Sequence, residues 1–189
     1  MHRVTWANGL TVLRIVLTPF LAAAIFAHDW WSATLLLGVA GLSDLFDGLV
    51  ARWLQEETTL GAYLDPVADK FLLGACYVAL LFAHTPCLVI PLWFVALVLV
   101  RDGAILLGAL YVVVTRAAIE IKPTLLGKIT TALQLCFVSL IFLCSLLSLK
   151  MDSVLQGMLW LVAGFVIASL LHYAYHIFGK VWVCGTKNM

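Results

Sequence analysis

Asp44-Leu45-Phe46-Asp47-Gly48-Leu49-Val50-Ala51-Arg52, followed by Gly61-Ala62-Tyr63-Leu64-Asp65-Pro66-Val67-Ala68-Asp69, puts four aspartates inside or beside apolar runs long enough to cross a bilayer. They are four of only 10 acidic residues in 189. An ionised carboxylate in such surroundings is costly unless it is paired or bound to a cation. Four together cannot relieve one another, because crowded like charges oppose ionisation. A divalent metal ion, or a pair of them, is the simplest way to keep all four charged. These two blocks predict a membrane enzyme that handles a phosphate-containing substrate.

Working outward, the chain is 64% hydrophobic and 11% charged, against about a quarter charged in an ordinary soluble domain. That predicts an integral membrane protein forming a single domain over 1–189. The net charge is +1, so no basic field invites nucleic acid. The 5 cysteines lie scattered in apolar runs without metal-like spacing and read as small buried hydrophobes. Arg14 interrupts the first apolar run, which therefore reads as a retained segment and not as a cleaved signal.

Six apolar stretches approach the ~20 residues that a spanning helix needs. They run over Leu10–Ala27, Ser32–Arg52, Tyr63–Phe82, Leu88–Val113, Leu125–Leu147 and Val154–Phe178. The expected fold is all-α, a bundle of six transmembrane helices. Arg3, Arg52, Arg116, Lys122, Lys128, Lys180 and Lys187 cluster at the two ends of the chain and in the second and fourth loops, whereas the other loops carry only Lys150. By the positive-inside rule both termini and the aspartate-bearing ends face the cytoplasm.

Asp44 and Asp47 are three apart, and Asp65 and Asp69 four apart, so on helices each pair shares a face. Hard carboxylate oxygens in this number suit Mg2+ or Mn2+ and not zinc. Gly48 and Ala51 keep one helix narrow enough for a nucleotide to approach, and Gly61 does the same near the next. Arg52 offers a forked donor to phosphate oxygens. Pro66 falls in the first turn of the third span, where a missing N–H costs least. A scaffold of intramembrane ion pairs is the alternative, but only Arg52 and Lys70 stand nearby to match four acids. A transporter or channel with an acidic pathway would also bury carboxylates. It leaves the adjoining glycine, alanine and arginine unexplained.

The spacing D-x2-D-G-x2-A-R-x8-G-x3-D-x3-D, filled at every fixed position over 44–69, resembles the signature of the CDP-alcohol phosphotransferase family. The resemblance implies that a CDP-linked lipid, usually CDP-diacylglycerol, loses CMP while its phosphatidyl group passes to an alcohol. Carried over, Asp44, Asp47 and Asp65 hold one metal ion, and Asp44, Asp65 and Asp69 a second. Asp69 is also the base for the attacking hydroxyl. Gly48, Arg52 and Thr58 contact the CDP portion. The opening Thr5-Trp6-Ala7-Asn8-Gly9-Leu10-Thr11-Val12-Leu13-Arg14 also resembles the family, which sets Asn8 and Thr11 against the CDP group; ordinary interfacial capping is the other reading. Arg14 either faces the site or snorkels to the headgroups.

For the acceptor, Arg101-Asp102 and Lys122-Pro123-Thr124-x3-Lys128-x2-Thr131-Ala132-x-Gln134 resemble the CMP-forming cardiolipin synthases, whose acceptor is phosphatidylglycerol. The phosphatidylglycerophosphate synthases, which use glycerol 3-phosphate, share part of this pattern. The expected acceptor is phosphatidylglycerol, giving cardiolipin, with glycerol 3-phosphate as the alternative. Arg101, Lys122 and Lys128 are candidate acceptor contacts; a local ion pair for Arg101 and membrane anchoring for the lysines are the competing readings. His172 and His176 lack a third metal ligand and read as an interfacial cluster with Tyr173 and Tyr175. The resemblance also implies a homodimer, and the short N-terminus without a transit-like segment favours a bacterial inner membrane.

Overall fold

A computed structural model describes residues 6–54, 59–83, 85–115 and 125–186, with side chains over 12–43, 67–83, 85–108 and 125–175. Among the described residues there are six helices and no strand: α1 (Trp6–Phe26), α2 (Trp30–Leu54), α3 (Thr59–Ala83), α4 (Leu92–Thr115), α5 (Leu125–Leu146) and α6 (Asp152–Thr186). Two described segments, Leu125–Leu146 and Asp152–Tyr175, are long and apolar enough to cross a membrane by length and composition. The apolar described parts of α1 and α2, Val12–Phe26 and Trp30–Ser43, are shorter.

The helix boundaries follow local chemistry. At the end of α1, Asp29 N–H donates to Ala24 O and His28 N–H to Ile25 O, which is a Schellman closure with His28 at φ 55°. Asp29 then starts α2: its carboxylate accepts the Ser32 N–H at 3.2 Å and the Ser32 hydroxyl at 2.5 Å. These two hydrogen bonds hold the Asp29 carboxyl below its ordinary pKa. The α5 end closes the same way, with Leu149 N–H donating to Cys144 O and Ser148 at φ 53°.

Several boundaries differ from the sequence expectation: α1 starts at Trp6 and not at Leu10, α3 at Thr59 and not at Tyr63, and two further ends have a local cause. The fourth helix begins at Leu92 and not at Leu88, because Pro91 supplies the first accepting carbonyl, to the N–H groups of Phe94 and Val95. The sixth runs to Thr186 and not to Phe178, since nothing in that stretch is a proline and its glycines cost only about 1 kcal/mol each in a helix.

α3 packs against α1, α4 and α5, while α6 covers α4 and α5. The rings of Tyr77 (α3), Phe94 (α4) and Phe137 (α5) meet edge to face, with centroids 5.6 and 5.8 Å apart, and the Tyr77 hydroxyl donates to Gln134 O at 3.1 Å. This closed aromatic contact fixes three helices at one level. Above it, Trp93 and Trp160 stack at 5.3 Å and stay exposed, as aromatic side chains do at a membrane interface. The four cysteines with described side chains, Cys76, Cys87, Cys136 and Cys144, are free thiols; Cys136 is exposed rather than buried.

Candidate active site

The signature lies on one helix–loop–helix unit. Asp44, Asp47, Gly48, Ala51 and Arg52 all fall within α2, and Gly61, Asp65 and Asp69 within α3. The backbone therefore keeps the helical spacing that groups the carboxylates in pairs. The side chains of Asp44, Asp47, Arg52 and Asp65 lie outside the described ones, as do those of Asn8 and Thr11 on α1; Thr58 and Lys122 lie outside the described residues altogether.

Asp69 is the described member of the acidic set. Its carboxylate is 40% exposed, and Arg14 Nη1 donates to Oδ1 at 3.2 Å. Arg14 is 1% exposed, so it does not snorkel; it turns from α1 toward α3 and the candidate site. One turn along α1, the Thr18 hydroxyl donates to Arg14 O at 2.8 Å, beside the step where Pro19 lacks an N–H. This is the i−4 back-bonding of a threonine within a helix; the carbonyl that Pro19 leaves without a helical donor is that of Ile15. The buried guanidinium of Arg14 thus fixes the orientation of a half-open carboxylate. The four carboxylates of the motif are hard oxygen donors, a type that fits hard divalent cations.

On the far side of α3 lies a second polar cluster. Arg101 (α4) is 1% exposed and donates in three directions. Nη1 meets Asp102 Oδ1 at 2.5 Å, Nη2 meets Gly127 O at 3.1 Å, and Nη2 and Nε meet Ser169 Oγ at 3.1 and 3.3 Å. Thr131 Oγ1 stands 3.5 Å from Nη1. Lys70, the neighbour of Asp69, reaches the same Asp102 oxygen at 3.6 Å. Arg101 is thus gripped inside the protein, whereas Lys128 on α5 points to solvent or lipid. The structure joins Arg101 to Thr131 through one guanidinium, but it leaves Gln134 buried in the core with no partner for its amide among the described residues. It also separates the aromatic residues expected to cluster with His172. Tyr173 turns in, so that a Cβ on Gly108 would lie 1.7 Å from its hydroxyl, and Tyr175 turns out.

The sequence assigns no role to Lys70 or Ser169. A serine in an apolar helix is unremarkable, and Lys70 reads only as a counter-charge. The sequence leaves Arg14 two orientations, and packing decides between them.

A helical membrane-type bundle with an acidic motif on consecutive helices defines the class, and comparison with known proteins carries the assignment further. The model of the family described as CDP-alcohol phosphatidyltransferase matches residues 4–173. The chain belongs to that family. It is 32% identical to a Drosophila melanogaster protein named probable cardiolipin synthase (CMP-forming), over 87% of this chain and 55% of the relative. It is also 32% identical to the Homo sapiens cardiolipin synthase (CMP-forming), over 97% of this chain and 64% of the relative. A Cereibacter sphaeroides protein named CDP-diacylglycerol–glycerol-3-phosphate 3-phosphatidyltransferase is 32% identical over 81% of this chain and 70% of its own length. The chain thus spans 55% and 64% of the two animal relatives.

Proposed function

We propose that this protein transfers the phosphatidyl group of CDP-diacylglycerol to the hydroxyl of a glycerol-based alcohol, with release of CMP. The observation that carries the reading is the aspartate signature, complete and set on two consecutive helices, in a chain that the family model matches over 4–173. All six helices cross the membrane, both termini and the acidic face lie in the cytoplasm, and the membrane is a bacterial inner membrane. The enzyme works as a homodimer.

Asp44, Asp47, Asp65 and Asp69 would hold two Mg2+ or Mn2+ ions, which when bound draw charge from the pyrophosphate and the departing CMP. The chain's own groups do the rest. Asn8, Thr11, Gly48, Ala51, Arg52, Thr58 and Gly61 line the CDP side. Asp69 takes the proton of the attacking hydroxyl, and Arg14 aims its carboxylate. The lysines Lys122 and Lys128 hold the acceptor near the membrane surface.

The acceptor is phosphatidylglycerol, as the names of the animal relatives suggest. Glycerol 3-phosphate is the second reading, favoured by the Cereibacter relative. Purified protein given CDP-diacylglycerol should release CMP only with Mg2+ or Mn2+ present, and chelation should stop it reversibly. Offering the two acceptors separately and identifying the lipid product decides between them. Asp69→Asn should lower turnover by at least about 10²-fold, the lower range for a general base, while the protein stays folded and inserted; retained activity removes Asp69 from this role.

A further inference from the structure

Lys70 is an ammonium without a proper partner. Its side chain is 13% exposed, but Nζ is buried and makes no hydrogen bond with the described residues. Its ion pair with Asp102 spans 3.6 Å, beyond the ~2.7–3.2 Å of a hydrogen bond. The Asp102 oxygen it faces is already held by Arg101 at 2.5 Å. Among the described residues three cations, Lys70, Arg101 and Arg14, share two anions, Asp102 and Asp69, and Asp69 is paired with Arg14. A buried cluster with surplus positive charge is costly until an anion joins it. Arg101 cannot be the receiver, since its donors are committed to Asp102, Gly127 O and Ser169. Lys70 has three donors, none used among the described residues, on a flexible four-carbon stem.

The position of Lys70 says which anion. Asp69 turns to Arg14 of α1, whereas Lys70 turns to Asp102 of α4. Consecutive residues, about 100° apart around α3, thus address different neighbouring helices. The CDP contacts assigned above come from α1, α2 and the start of α3. In an in-line displacement the nucleophile enters opposite the leaving group, which puts the acceptor on the α4 side.

We propose that Lys70 binds the phosphate of the acceptor alcohol, and that Arg101 and Asp102 are positioning residues which park its ammonium loosely until that phosphate arrives. This rests on the phosphatidyltransferase reading. A phosphate is common to both candidate acceptors, as a diester in phosphatidylglycerol and a monoester in glycerol 3-phosphate.

The test is steady-state kinetics of the full chain in detergent, with CDP-diacylglycerol and, in separate arms, phosphatidylglycerol or glycerol 3-phosphate. Lys70→Met should raise the acceptor KM roughly 10- to 100-fold, the worth of a charge-assisted hydrogen bond, while the CDP-diacylglycerol KM stays within about twofold. Asp102→Glu, one methylene longer, should close the gap to Lys70 and also raise the acceptor KM selectively. The arm that responds identifies the phosphate's source. If Lys70→Met does not fold, Lys70→Arg keeps the charge but moves it, and a selective rise in acceptor KM is again expected. An unchanged acceptor KM, a fall in kcat alone, or a rise in the CDP-diacylglycerol KM overturns the proposal. Wild-type protein that releases no CMP would instead overturn the phosphatidyltransferase reading itself.

Discussion

Gln134 sits at 0% exposure on α5, and neither end of its amide meets a donor or acceptor among the described residues. A buried amide in that state costs about 1–3 kcal/mol. Gln134→Met keeps the length and removes the polar atoms, so it should raise the thermal midpoint in detergent; a lower midpoint would show that water bridges the amide. Asp69 is the opposite case. Its carboxylate is half open and paired with a buried arginine, so its chemistry and not its packing accounts for its placement. The two residues differ in what the sequence discloses: Asp69 belongs to a spaced motif, whereas the burial of Gln134 depends on neighbours from other helices.

At the scale of the element, the turns carry readable strain and capping. Ser148 holds φ 53° at the end of α5, a region that costs most side chains ~1 kcal/mol or more and glycine nothing. Ser148→Gly should therefore stabilise the α5–α6 turn by roughly 0.5–1 kcal/mol, measured by thermal unfolding. Asp29 offers a pH test. Its carboxyl is held low by two hydrogen bonds from Ser32. A lowered folded value means that the stabilisation is complete above the ordinary carboxyl range, about pH 4, and fades as pH falls through the folded value. Against Asp29→Asn, which caps but does not ionise, the wild type should lose relative stability only below about pH 4.

For the whole molecule, Arg101 is the tie between helices. It bonds to α5 through Gly127 O, to α6 through Ser169, and through Asp102 it meets Lys70 of α3. Arg101→Met should destabilise by about 3–5 kcal/mol, because among the described residues Asp102 is left buried with Lys70 at 3.6 Å as its remaining partner. The midpoint in detergent should fall sharply, and an unchanged midpoint would show that the cluster contributes little to the fold. Nearby, Gly108 lets α4 and α6 approach with Tyr173 between them.

The sequence by itself determined the all-helical class, the position of all six helices to within a few residues at most ends, and the carboxylate signature. These are local signals: apolar run length, caps, prolines and spacings of three or four. Tertiary structure alone decided that Arg14 turns to Asp69, that Arg101 is consumed inside the bundle, and that Lys70 is left loosely paired. Each is a contact between residues 55, 26 to 68, and 32 positions apart, and no periodicity along one helix specifies which buried charge on another it will meet.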